Sequence, residues 1–185
     1  MKLNLGSNNK KYLDYINIDL DENKNPDYVL NLETDKFPFD DNTVDEVLAH
    51  HILEHLGDGF FHCIQEIYRV CKHDAIIDIK VPHPRHDTFY MDPTHKRAIL
   101  PYTFTMFSKS KNKKDLIENT AEPALGLIYD VDFEIIDMAF TLDPFWDLKI
   151  PHMPEKEGNF IMRSFNNVIS EINIKLSVIK NTETE

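Results

Sequence analysis

Four short runs that read as strands end in residues able to hold a ligand. Gly6-Ser7-Asn8 follows Lys2–Leu5, Asp19 closes Tyr15–Asp19, Asn31-Leu32 closes Tyr28–Leu32, and Ala49-His50-His51 stands at the end of Val44–His50. A glycine lets the backbone approach a ligand closely and exposes N–H groups to an anionic group. A carboxylate at the next strand end can accept both hydroxyls of a ribose. In an open α/β sheet, ligands bind outside the carboxyl ends of the strands. The ordered set therefore describes a site for a nucleoside-bearing cofactor. Taken singly, Gly6 reads as a tight turn and Asp19 as a strand-end cap; their ordered recurrence carries the inference.

A fifth run, Ala75–Val81, ends at Pro82 and opens onto His83, Arg85, His86, Asp87, Asp92, His95, Lys96 and Arg97. Neutral histidine suits proton acceptance near neutral pH. His83 and His86, nearest the strand end, are the first choices for a catalytic base, and His95 is the third. Arg85, Lys96 and Arg97 suit a carboxylate or phosphate, which suggests a small anionic metabolite or sugar derivative as substrate. His51-Ile52-Leu53-Glu54-His55 also fits the H-x-x-E-H pattern of some zinc hydrolases. On a helix its two histidines would share a face, with Glu54 as base. The segment follows a buried-looking strand, so no metal is expected.

These residues need a sheet to position them. The strand runs are short, rich in β-branched residues and bounded by Gly, Asn, Asp or Pro. Phe60, Phe61, Ile64, Ile67, Tyr68 and Cys71 recur at helical spacing between the fourth and fifth. The tail predicts a strand at Val131–Phe140, a helix at Asn159–Ser170 and a last strand at Glu171–Lys180. Between Pro82 and Tyr129 periodicity is weak; residues 83–128 read as an insertion capping the active site, with a short helix at Pro101–Lys109 and a solvated basic loop at Lys109–Lys114. The connections Gly6–Asp14 and Asp21–Asp27 are too short for crossover helices. They leave part of one sheet face bare, which a partner subunit in a homodimer would cover.

Leu3-Asn4-Leu5-Gly6-Ser7-Asn8, Tyr15-Ile16-Asn17-Ile18-Asp19, Phe37-Pro38-Phe39-Asp40-Asp41-Asn42-Thr43-Val44-Asp45-Glu46-Val47, His51-Ile52-Leu53-Glu54-His55-Leu56 and Glu66-Ile67-Tyr68-Arg69-Val70 resemble, as an ordered set, class I S-adenosylmethionine-dependent methyltransferases. The resemblance spans about residues 1–82. It implies a single Rossmann-like α/β domain, mostly parallel with an antiparallel final strand, that transfers a methyl group from S-adenosylmethionine. It further implies that Leu5, Gly6, Ser7 and Asn8 lie against the methionine portion and that Asp19 binds the ribose. Leu32 would flank the adenine, and Ala49, His50 and His51 the sulfonium. The chain departs from the family where Asn8 replaces a second glycine, where Lys72-His73-Asp74 replaces a Pro-Gly-Gly turn, and where the N-terminal helix is missing. Those departures favour a competing reading, a non-catalytic domain that keeps the fold. A dehydrogenase is disfavoured, since there is no G-x-G-x-x-G.

The formal charge of −12 argues against a nucleic-acid backbone as partner, and no apolar run reaches the ~20 residues of a membrane span. Met1-Lys2-Leu3 enters structure directly, so no signal peptide is expected, and a cytoplasmic location is expected from the cysteines. Cys63 and Cys71 read as reduced core residues.

Overall fold

The computed structural model describes residues 1–180. Seven strands form one sheet: β1 (Lys2–Leu5), β2 (Ile16–Asp19), β3 (Tyr28–Val29), β4 (Val44–His50), β5 (Cys71–Pro82), β6 (Phe133–Leu142) and β7 (Ile169–Val178). Their order is β3-β2-β1-β4-β5-β7-β6. Neighbours pair in parallel except that β7 runs against β5 and β6, the mixed α/β sheet expected. Strand β3 is shorter than predicted. The Leu30 N–H still bonds the Asp19 carbonyl at 2.9 Å, but Thr34 N–H then turns back onto the Asn31 carbonyl at 3.1 Å.

The two faces differ in chemistry. Register puts Leu3, Val47, Ile77 and Leu176 on one side, with Leu5, Ala49, Ile79 and Ile174 in the next row. All are buried in one cluster with Phe60, Ile64 and Ile67 of helix α1 (Phe60–Val70). The opposite face carries Asn4, Glu46, His50, Asp78, Lys80 and Lys175. There Lys2 pairs with Glu46 at 2.7 Å and His50 with Asp78 at 2.9 Å, while the Tyr15 hydroxyl donates to Glu46 at 2.7 Å. The first two connections give this face no helix, only a single 3-10 turn at Glu22–Lys24. Its polar groups satisfy one another, as the Lys2–Glu46 and His50–Asp78 pairs do.

One clamp holds the Phe37–Phe39 segment to α1. Arg69 donates to both Glu66 oxygens at 2.9 and 2.7 Å, to the Phe37 and Phe39 carbonyls at 2.9 Å each, and to Asp41 at 2.6 Å. The Phe37 N–H returns a bond to Glu66 at 2.7 Å. This is the physical content of the Phe-Pro-Phe and Glu-Ile-Tyr-Arg motifs.

The segment after β5 divides in two. Helix α2 (Asp87–Met91) and the stretch to Arg97 stay near the carboxyl edge of the sheet. Helices α3 (Pro101–Thr105), α4 (Lys109–Glu118) and α5 (Leu125–Ile128) form the crossover to β6. Phe107 packs against Phe60, Phe61 and Phe133, and Tyr129 stacks on Phe61 at 4.4 Å, so this half covers the apolar face beside α1. The predicted basic loop is helical: Ser108 caps α4 through the Lys111 N–H, and its lysines pair with Asp130, Asp115 and Glu122. A second elaboration joins β6 to β7 through α6 (Pro144–Asp147) and α7 (Glu155–Ser164). The predicted Asn159–Ser170 helix is displaced toward the N-terminus, because Phe165 leaves it with extended backbone and Asn167 turns at φ 57°.

Left-handed backbone positions explain both motif departures. Asn8 at φ 44° and Asp74 at φ 61° stand where the family resemblance calls for glycine, and short polar side chains tolerate that region best. Both cysteines are free and buried. Among the described residues no helix is long and apolar enough to cross a membrane.

Candidate functional site

The carboxyl ends of β1, β2 and β4 converge on Gly6. This glycine has φ 62°, and a Cβ there would lie 2.7 Å from Ile52 Cδ1 and Cγ1. Only glycine lets β1 turn so tightly under Ile52. Beyond it the Ser7 N–H bonds the Ile18 carbonyl at 2.9 Å, and the Asn8 N–H donates to Asp19 at 2.7 Å. The other Asp19 oxygen accepts from the Asp21 N–H at 2.9 Å. Asp19 is thus aimed by backbone, and each oxygen keeps a further lone pair.

Two cavities share Gly6. The first, about 340 Å³, is lined by Asp19, Leu20, Leu30, Asn31, Leu32, Ile52 and Leu56, with His55, Thr94 and Lys96 on its outer wall. The second, about 320 Å³, is lined by Ser7, Asn8, Asn9, Lys10, Tyr12, His50 and His51. Together they contain six of the nine predicted cofactor residues by side chain, and Gly6 by backbone. Leu5 and Ala49 are fully buried in the core and give the site only main chain. The Ser7 hydroxyl is buried and finds no partner among the described residues. Sequence reasoning missed Ile52, Leu56 and Lys96 as cavity wall; the apolar spacing of Ile52 and Leu56 was the available signal. A larger cleft of about 450 Å³ lies at Asn42, Arg69 and Tyr129, but near the amino end of β4, where such sheets do not hold ligands.

His51 adopts φ 55°, which turns the chain out of β4. Its Nε2 meets Glu171 at 2.8 Å and its Nδ1 lies 3.5 Å from Glu54. Glu54, and then Glu171, raise the His51 pKa above the ordinary histidine value against the opposing effect of burial. Residues 53–55 form a 3-10 turn, not an α-helix. The H-x-x-E-H pattern therefore does not put His51 and His55 on one face, and the zinc-hydrolase arrangement is absent.

The three predicted bases do not gather at one site: His83 and His86 are neighbours, and His95 stands elsewhere. His83 borders a separate cavity of about 350 Å³ with Arg85, Phe140, Asn159, Met162 and Ile169, beneath the β6–β7 connection. Burial, then the charges of Arg85 and His86, lower its pKa, so it is neutral at neutral pH. Its Nδ1 accepts the Arg85 N–H at 3.1 Å, which places the proton on Nε2. As wired, His83 offers a donor to its cavity rather than the lone pair expected of a base. His86 caps α2 through the Thr88 N–H and reaches Asp143 at 3.4 Å, so it anchors the β6–β7 connection. His95 stands beside Glu54 and His55, behind the Thr94 and Lys96 that line the first cavity.

The three cations expected to hold an anionic substrate are engaged elsewhere. Arg85 donates to the Arg163 and Met162 carbonyls at 2.6 and 2.9 Å. Lys96 pairs with Glu33 at 3.1 Å. Arg97 lies 4.4 Å over the Phe60 ring and donates to the Gly57 carbonyl at 3.0 Å.

Residues 8–78 match the family described as a methyltransferase domain. No curated protein gives a significant match to the chain. Among solved structures, an S-adenosylmethionine-dependent methyltransferase from Archaeoglobus fulgidus superposes with TM-score 0.61 at 17% identity, over 95% of this chain and 85% of that one. A putative type 11 methyltransferase from Sulfolobus solfataricus gives 0.54 at 14% identity, over 100% and 87%. The [4+2]-cyclase SpnF gives 0.55 at 14% identity, over 96% and 75%. At these identities the likeness is one of fold.

Proposed function

We propose that the chain, whose residues 8–78 match a methyltransferase domain, transfers the methyl group of S-adenosylmethionine to a small-molecule acceptor. The observation that carries the proposal is the pair of cavities meeting at Gly6, with Asp19 and Leu32 on one side and Ser7 and His51 on the other. The residues fit the cofactor. Asp19 and Leu32 suit a ribose and an adenine, the Gly6 turn keeps its space because no Cβ fills it, and Ser7, whose buried hydroxyl has no partner among the described residues, lines the second cavity.

The bound cofactor supplies an electrophilic methyl sulfonium. The chain's own part is to orient and to exclude water. The β6–β7 connection, tied down by Arg85 and His86, borders the cavity at His83, and an acceptor would have to reach from there toward His51 to meet the methyl group. His83 would donate Nε2–H to an oxygen of the acceptor, which keeps a second lone pair for attack, and so help fix its angle of approach, an in-line requirement of methyl transfer.

Calorimetric titration with S-adenosylmethionine and S-adenosylhomocysteine tests the reading. Micromolar binding that Asp19→Ala abolishes supports it. Asp19→Asn, which keeps the side-chain shape, separates lost ribose contacts from a loosened loop. A folded protein that binds neither compound would overturn the proposal and favour a non-catalytic domain.

A further inference from the structure

Glu54 poses a separate problem. Its side chain is 1% exposed, and neither carboxylate oxygen finds a hydrogen-bond donor among the described residues. A buried carboxylate that accepts no hydrogen bond, with only His51 at the edge of ion-pair distance, is poorly compensated. The nearest nitrogens are His51 Nδ1 at 3.5 Å and His95 Nε2 at 4.0 Å, both measured to Oε1.

The neighbouring histidines are arranged as ligands. His95 Nδ1 lies 2.7 Å from the Phe89 carbonyl. A carbonyl only accepts, so Nδ1 carries the proton and Nε2 keeps its lone pair toward Glu54. His55 Nδ1 lies 2.9 Å from Thr94 Oγ1, and that hydroxyl donates to Asp92 at 2.6 Å. The hydroxyl proton is committed to Asp92, so His55 also donates from Nδ1 and leaves Nε2 bare. Each ring is thus oriented through one nitrogen by an outer partner, as in metal sites. Glu54, His55 and His95 can bring one donor atom each within 4.8 Å of one another. A tetrahedral zinc centre with bonds near 2.0–2.1 Å needs donors roughly 3.3 Å apart, so closure takes side-chain movements of about an ångström.

The backbone already holds the two halves together. The Lys96 and Arg97 N–H groups both donate to the Glu54 carbonyl, at 2.8 and 3.0 Å. His95 is therefore presented to Glu54 without any ion.

We propose that Glu54, His55 and His95 form a binding site for a divalent transition-metal ion beside the first cavity. Two imidazoles and one carboxylate select zinc, iron(II) or cobalt over calcium or magnesium, which prefer all-oxygen sets. Three protein ligands leave a coordination position open, and His55 and Thr94 border the cavity. The ion would pin the 92–97 segment to the 53–55 turn. The H-x-x-E-H motif thus contributes Glu54 and His55 to a set completed by His95, while His51 is occupied by Glu171.

The site is tested independently of cofactor binding. Chelator-treated, buffer-exchanged protein is titrated with Co²⁺ by absorption, and Zn²⁺ is then measured by displacement. The proposal expects one ion per chain at micromolar concentration or tighter. Glu54→Gln, His55→Ala and His95→Ala should each weaken binding at least about tenfold, while His152→Ala in the β6–β7 connection should not. His55 is only partly buried, so that variant remains informative if a substitution at Glu54 or His95 fails to fold. Absence of stoichiometric binding, or equal affinity in His55→Ala and the parent, would overturn the proposal and leave a protonated histidine as the partner of Glu54.

Discussion

Gly6→Ala isolates the turn on which the whole site depends. The alanine must hold φ 62°, and its methyl would lie 2.7 Å from Ile52 Cδ1 and Cγ1 and 2.8 Å from Cβ. Left-handed backbone costs about 1–2 kcal/mol for a residue with a Cβ. The contact reaches the stem of Ile52 and not only its tip, so the side chain cannot simply swing away; overpacking of this kind costs about 1–3 kcal/mol. The sum, about 2–5 kcal/mol, is a large share of the roughly 5–15 kcal/mol that stabilises a domain. Ile52 lines the first cavity, so its displacement should also weaken S-adenosylhomocysteine. Urea unfolding measures the first effect and calorimetry the second. Gly158→Ala is the control: it lies in α7 without positive φ, and its Cβ would sit 3.2 Å from Ile150 Cγ2. That contact offsets the helix propensity gained, about 1 kcal/mol. A Gly6→Ala protein as stable as the parent, with binding intact, would refute the reasoning.

Arg69→Met should destabilise by about 3–5 kcal/mol, because it strands Glu66 in a largely buried position. Burial alone would raise the Glu66 carboxyl, but the bonds from Arg69 and Phe37 outweigh it and hold the pKa low. A depressed carboxyl stabilises above its unfolded value of about 4.3 and loses that contribution as pH falls through the folded value. The penalty should therefore be largest at neutral pH and shrink in acid; urea midpoints across pH check it, and a flat penalty contradicts it. His83, lowered first by burial, should titrate below the usual value of about 6.5 when its ring is followed by NMR. Its contribution to stability is then full above that unfolded value and is lost as pH falls through the folded one; an elevated midpoint would contradict the wiring of its Nδ1.

The strand ends were legible because glycine, aspartate and β-branched runs act locally. Gly6 and Asp19 needed only their neighbours in sequence to be read. Asn8 and Asp74 were read as departures from a glycine pattern, and the structure shows that the left-handed turns survive with asparagine and aspartate in place. The fates of Arg85, Lys96 and Arg97 were not legible, since their partners at Met162, Glu33 and Gly57 are distant in sequence. His83 reads as a base for a different reason: its partner is near in sequence, but its donor character is set by one backbone N–H, that of Arg85, whose direction no residue pattern reveals. The crossover helices after β5 were hidden because α4 is almost wholly polar, held by Ser108 and ion pairs rather than by an apolar stripe. The helix that the H-x-x-E-H pattern would need does not form, since residues 53–55 are a 3-10 turn. The proposed ligand set is completed by His95, forty residues after His55, which no local pattern links to the motif.

The central claim is that the cofactor lies across Gly6 at the carboxyl ends of β1, β2 and β4. Amide chemical-shift mapping of isotopically labelled protein during titration with S-adenosylhomocysteine tests it most directly. The account predicts that the perturbed amides cluster at Gly6–Asn8, Asp19–Leu20, Asn31–Glu33 and Ile52–Leu56. Perturbations centred instead on Asn42, Arg69 and Tyr129, around the larger cleft near the amino end of β4, would contradict it.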